Sequence, residues 1–283
     1  MMTASRTRSQ TSKSSLGSWD DRTIRDYRKF YLFITIMVAL IIAVGGGYIY
    51  TTLGDDDDEG PADTVSLNCY NDDHTVTPNG TTQFVFVLEN TADSDDRNFI
   101  NLAVTEQPEG WNVRIDQETS MLYKGGREIR FLTVTGPEGI DSGSFTIELT
   151  ATSLTFGGDS DSDKVRVRPI PQTSNKVVES GDNLITNYVG YLADGKIFDT
   201  SVESVAKSGV PKTSDFQVRD SYSEFGFTAD NGDVIPGFDA GVMGMSLHET
   251  KIIIVPPDQG YTQEGHALYG KTLYFELKLE KFE

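Results

Sequence analysis

A single cysteine and three histidines are the groups in this 283-residue sequence from which nucleophilic or metal chemistry would be expected. Cys69 stands in no recognisable pairing with a histidine, so it reads as a small, buried or half-buried side chain and not as a nucleophile. With one cysteine no intramolecular disulfide can form, so each folded part must hold itself by packing, and a disulfide to another molecule stays open. His74, His248 and His266 are scattered and unaccompanied by cysteine, so no metal-ligand cluster is expected. Asn79-Gly80-Thr81 has the form of a glycosylation sequon, a three-residue pattern that also arises by chance.

The elements that would carry other chemistry lie after residue 177, where a new pattern begins. Leu273, Phe275, Leu277 and Leu279 alternate with Tyr274, Glu276, Lys278 and Glu280, which predicts a strand with one buried face. Pro236 suits the first turn of a helix, where a missing N–H costs nothing. Phe238 and Val242 then stand at i and i+4, on the side of that helix that packs against a sheet. A curved antiparallel sheet around one short helix follows, an α+β domain over residues 177–283.

Four stretches occur in order there: GDNLITNYVGYLADGKIFDTS from Gly181 to Ser201; Val234-Ile235-Pro236-Gly237-Phe238, followed by Gly244-Met245-Ser246; Ile254-Val255-Pro256-Pro257-Asp258-Gln259-Gly260-Tyr261; and Gly270-Lys271-Thr272-Leu273-Tyr274-Phe275-Glu276-Leu277. By these stretches Val177 to Glu283 resembles the FKBP-type peptidyl-prolyl cis/trans isomerases. The resemblance implies the FKBP fold and rotation about X-Pro bonds in unfolded or partly folded polypeptides, with no cofactor or metal. Such rotation breaks amide resonance against a barrier of roughly 18–20 kcal/mol. The twisted amide has less charge separation than the planar one, so an apolar pocket that excludes water favours it without a nucleophile.

Residue by residue, the resemblance implies a pocket of Tyr188, Phe198, Phe225, Val234, Ile235, Phe238, Tyr261 and Phe275. Phe238 would be its floor beneath the proline ring, Asp199 and Tyr261 its polar contacts, and the Ile235 N–H the donor to a substrate carbonyl. Taken singly, Phe198, Phe225 and Phe275 read as core, and Asp199-Thr200 as a turn; the joint match of the set favours the pocket. His266 coincides with a flap histidine common in the family, though the reaction needs no general base.

Two departures stand out. The insertion SVESVAKSGVPKTSDFQVRDSYSE, from Ser201 to Glu224, resembles the bulge of archaeal FKBPs and their SlyD-like relatives. The chaperone domain that those relatives insert in the flap is absent, because only Thr262 to Tyr269 join Tyr261 to Gly270. The second is Phe238, which stands where many eukaryotic members have Trp. It keeps an apolar face with less area and no indole N–H, which argues against tight macrolide binding.

Residues 64–170 show period-two alternation, as in Gln83 to Leu88 and Ser144 to Ala151, separated by turn formers such as Pro78-Asn79-Gly80 and Pro108-Glu109-Gly110. An antiparallel β-sandwich with one buried face per sheet is expected. The segment resembles immunoglobulin-like modules of the NEW3 or CARDB kind in archaeal and bacterial surface proteins, which implies a spacer or binding role with an unidentified ligand. Pro169 and Pro171 mark a stiff hinge, with a linker over residues 171–176.

Upstream, Tyr31 to Gly54 carries no charge and is densely apolar, enough to cross a bilayer in a helix over residues 30–53. Arg22, Arg25, Arg28 and Lys29 precede it and Asp55 to Glu59 follow, so residues 1–29 read as a disordered cytoplasmic tail and everything beyond the acidic linker 54–63 as extracytoplasmic. A cleaved signal peptide, with Gly45 to Gly47 near the cleavage point, is the competing reading. The net charge of -19, despite seven Lys or Arg against three Asp in residues 1–30, argues against nucleic acid or anionic lipid as a partner. The chain thus reads as multidomain: a transmembrane helix, an all-β immunoglobulin-like sandwich, and an α+β FKBP domain. The expected function is a membrane-anchored isomerase assisting the folding of exported or surface proteins. The alternative is a non-enzymatic surface module that holds Pro-containing segments.

Overall fold

A computed structural model describes residues 63–283, so the tail, the apolar run and nearly all of the acidic linker lie outside the described residues. Among the described residues no helix is long and apolar enough to cross a membrane. The N-terminal half contributes nine strands: β1 (Val65–Cys69), β2 (Asp73–Val76), β3 (Thr81–Asn90), β4 (Asn98–Glu106), β5 (Asn112–Ile115), β6 (Thr119–Leu122), β7 (Arg127–Thr135), β8 (Phe145–Ser153) and β9 (Ser160–Pro169). Strands β1, β3, β7 and β5 lie side by side in one layer, and β2-β9-β8-β4-β6 form the other. Alternation puts Phe84, Phe86 and Leu88 of β3 and Leu132 and Val134 of β7 between the layers. There they meet Ile147 and Leu149 of β8 and Val165 and Val167 of β9 in one core.

Two details differ from the all-antiparallel, one-sided layers expected. Strand β2 runs parallel to β9, with Val76 opposite Pro169. Pro169 is the buried last residue of β9, an end position where its missing N–H is tolerated. Strand β3 buries every side chain from Phe84 to Leu88, so both of its faces are covered.

What covers the second face is the C-terminal half. Its strands β10 (Asn183–Tyr191), β11 (Ile197–Thr200), β12 (Phe225–Thr228), β13 (Thr250–Val255) and β14 (Leu273–Phe282) pair antiparallel in the order β11-β10-β14-β13, with β12 also on β10. Helix α1 (Glu203–Lys207) lies in the insertion, and α2 (Pro236–Val242) opens on Pro236 at its first turn. Phe238 and Val242 of α2 are buried against Ile253, Leu273, Phe275 and Leu277, as i, i+4 spacing demands. The helix sits unusually close to β13: a Cβ on Gly241 would fall 2.2 Å from Cγ2 of Ile253.

The opposite face of this sheet packs on the N-terminal half. Val85, Val87 and Ile129 form a common core with Val189, Tyr191, Ile197 and Val205. Thr82 and Thr250 make a parallel bridge, and the Ile252 N–H donates to Gln83 Oε1 at 2.8 Å, joining the two halves into a nine-stranded sheet. Alternation alone therefore leaves one face of β14 too many in solvent. Leu273, Phe275, Leu277 and Leu279 are buried as expected, but Glu276 on the other face is buried as well.

The Glu276 carboxylate is not left alone there. It accepts from Asn71 Nδ2 at 2.5 Å and from the Tyr191 hydroxyl at 3.5 Å, and His74 Nε2 lies 2.9 Å away. The His74 ring stacks on Phe84 at 4.2 Å, with Nδ1 3.2 Å from Thr82 Oγ1. A charge buried this fully survives only when paired and hydrogen-bonded, so the network ties the register of one half to that of the other. Burial, reinforced by the Glu276 charge, pushes the pKa values of both the Tyr191 hydroxyl and the nearby Cys69 thiol upward.

Candidate active site

On the α2 side of the sheet, the nine residues implied by the motif all line one cavity of about 560 Å³. Tyr188 comes from β10, Phe198 and Asp199 from β11, Phe225 from β12, Phe238 from α2 and Phe275 from β14. Val234 and Ile235 precede α2, and Tyr261 follows the 3-10 turn Pro257–Gln259. Gly232, Asp233 and Pro236 complete the wall.

The aromatic rings meet edge to face, which aims the electron-rich faces and hydrogen-bearing edges at one another. Phe238 and Phe275 are 4.8 Å apart at 89°, Phe198 and Phe275 5.4 Å at 88°, and Tyr188 and Phe225 5.7 Å at 77°. Phe238 is buried, while Phe198, Phe225, Tyr188 and Tyr261 are half-buried and face the opening. Gly190 is what lets the Phe198 ring lie flat on β10, since a Cβ there would come 2.6 Å from the ring.

Polar groups sit at the rim. The Tyr188 hydroxyl donates to Asp199 Oδ2 at 2.6 Å, and Asp199 Oδ1 accepts from the Thr200 N–H at 2.9 Å. Asp199 and Thr200 end strand β11 and form no turn, and the Asp199 side chain lines the cavity. Burial foremost, and then the Asp199 carboxylate, push the Tyr188 pKa far up; the same two causes raise that of Tyr261. Both phenols are thus neutral donors through the physiological range. The Ile235 N–H belongs to an N-cap residue, outside the ladder of α2, whereas the Ile235 carbonyl accepts from the N–H groups of Phe238 and Asp239. Asp239 in turn accepts from the Asp230 N–H at 2.7 Å and the Gly232 N–H at 3.2 Å, bracing the loop that carries Val234.

Arg219 was not legible as a site residue. Its guanidinium pairs with Asp199 and donates to the Thr200 carbonyl at 2.9 Å, yet it sits in the insertion, where no periodicity marks it. The insertion runs back along β11, with the Ile197 N–H donating to the Pro211 carbonyl and the Thr213 N–H to that of Ile197. Between it and residues 266–271 lies a second cavity of about 430 Å³, which shares Phe198, Asp199 and Tyr261 with the first. His266 lies there, exposed, its ring stacked on Tyr261 at 4.1 Å.

An apolar, aromatic-walled cavity with neutral phenols and a free amide at its rim defines a class of binding site for a small apolar ring flanked by peptide. Residues 174–280 match the profile of the FKBP-type peptidyl-prolyl cis-trans isomerases. The chain is 35% identical over 106 residues to FK506-binding protein 2 of Dictyostelium discoideum, spanning 38% of this chain and 67% of that protein. It is 35% identical over 106 residues to the short-type peptidyl-prolyl cis-trans isomerase of Methanocaldococcus jannaschii, covering 61% of it. It is 32% identical over 107 residues to human peptidyl-prolyl cis-trans isomerase FKBP9, covering 16% of it. The chain belongs to the FKBP-type peptidyl-prolyl cis-trans isomerase family.

Proposed function

We propose that this protein catalyses cis/trans isomerisation of X-Pro bonds while tethered to a membrane by residues 30–53, with residues 64–283 on the extracytoplasmic side. The observation that carries the catalytic part is the convergence of nine residues from six separate segments on one aromatic cavity. A proline ring on Phe238, enclosed by Tyr188, Phe225 and Phe275, loses water. Desolvation penalises the planar, charge-separated amide more than the twisted one. The Ile235 N–H holds the flanking carbonyl, and the neutral Tyr261 hydroxyl offers a second donor. No proton is transferred, so Asp199 serves to orient Tyr188.

The tether reading rests on the uncharged run from Tyr31 to Gly54 and the charge reversal across it. Clients are then exported or surface polypeptides with exposed prolines, and the strand-rich residues 64–170 act as an immunoglobulin-like module that holds the isomerase away from the bilayer. Refolding of a protein whose slow phase is prolyl isomerisation tests the catalytic part: residues 63–283 should accelerate that phase in proportion to their concentration. An unchanged slow phase would count against it. Membrane pelleting of the full chain under alkaline carbonate tests the tether, and release into the supernatant would refute it.

A further inference from the structure

The outer face of the second sheet carries an apolar row that the isomerase chemistry does not use. Phe99 on β4 pairs with Met121 on β6, and on its other side the Leu154 N–H, just past β8, donates to the Phe99 carbonyl at 2.7 Å. Cross-strand partners point to the same face. Their neighbours in sequence, Asn98, Ile100, Ser120, Leu122 and Ser153, are buried, so this row points outward. Tyr123, two residues beyond Met121, is the next outward position. Phe99 is 50% exposed, Met121 42%, Tyr123 56% and Leu154 42%. Half of the eight strongly exposed large apolar residues among the described residues thus stand together, a clustering that scattered surface hydrophobics would not give.

The row lies at the end of the sheet where the chain arrives. Asn98, beside Phe99, donates to the Thr64 carbonyl at 2.9 Å, and the Thr64 N–H donates to Asp159 at the turn following Leu154. Residues 55–63 are all that separate Thr64 from the apolar run ending at Gly54, and nine residues reach at most about 32 Å when fully extended. Arg97 lies over the Tyr123 ring at 5.2 Å, a cation on an aromatic at the edge of the row. Apolar side chains mixed with Tyr and a snorkelling cation suit the headgroup layer of a bilayer.

We infer that Phe99, Met121, Tyr123 and Leu154 rest in the headgroup layer of a zwitterionic membrane and set the orientation of the isomerase above it. The inference rests on the tether reading. Acidic neighbours in the spacer, Asp55 to Glu59, favour choline headgroups over anionic ones.

The test uses the full chain reconstituted in phosphatidylcholine vesicles, with Met121→Cys or, as a control in the exposed insertion, Val218→Cys carrying an environment-sensitive fluorophore; Cys69 is buried. The label at 121 should brighten severalfold on reconstitution and lose roughly half its emission to spin-labelled lipid, while the label at 218 does neither. A chain that floats with vesicles but leaves position 121 unquenched would overturn the inference and leave the tether standing. A chain that does not float removes the tether and the inference together. Brightening at 121 that follows protein concentration without lipid would assign the row to a second copy of the chain, and so against the membrane.

Discussion

The Tyr188 hydroxyl illustrates how a pocket residue is tuned by its place. Burial and the adjacent Asp199 raise its pKa, and burial raises those of Tyr191 and Cys69. Each group stays protonated in the folded protein at a pH where the unfolded chain has begun to lose the proton. Folded protein then binds more protons than unfolded, so stability falls as pH rises. The ordinary thiol and phenol ranges, near 8.5 and 10, set the window. The melting temperature of residues 63–283 should be governed by other groups up to about pH 8 and decline above about pH 9; a rise between pH 9 and 10.5 would contradict the assignment. At this scale the sequence was most informative. Nine motif residues reached one cavity, because the family resemblance carried them over position by position, including Val234, Ile235 and Tyr261, which lie in no strand or helix. Arg219 did not surface, since its position on Asp199 depends on the path of an irregular insertion.

At the scale of elements, α2 is held to the sheet by what it lacks. Gly241→Ala would place a methyl 2.2 Å from Ile253, and that atom belongs to a strand-bound side chain that cannot retreat. Overpacking of this kind costs about 1–3 kcal/mol. The helix should shift away from β13 and carry Phe238 with it, so denaturant melts should show the loss in stability and isomerase activity should fall beyond it. An unchanged midpoint would mean that the helix sits farther out. Period-two alternation in β3 and β14 located both strands, but not their environments. Alternation states which residues share a face, whereas the covering of that face depends on a partner distant in sequence. That is why Glu276 looked solvated and is buried.

For the described molecule as a whole, the two halves share a core and a buried charge network, and each stabilises the other. Glu276→Ala strands His74 and Asn71 at a closed interface, and leaving a buried polar group without its partner costs about 1–3 kcal/mol. A single cooperative melt of residues 63–283 should drop by that amount; a change under about 1 kcal/mol would show the network to be solvated. Cutting the chain near residue 172 would likewise expose Tyr191 and Glu276, so stability should be lower in the shorter piece. The central claim, that the aromatic cavity isomerises prolyl bonds, is tested most directly by cis/trans exchange in a Pro-containing tetrapeptide, followed by NMR with residues 63–283. Exchange should become many times faster than the uncatalysed rate and slow about tenfold with Phe238→Leu, which keeps an apolar floor but removes the ring. Exchange at the uncatalysed rate, from protein with an intact circular dichroism spectrum, would contradict it.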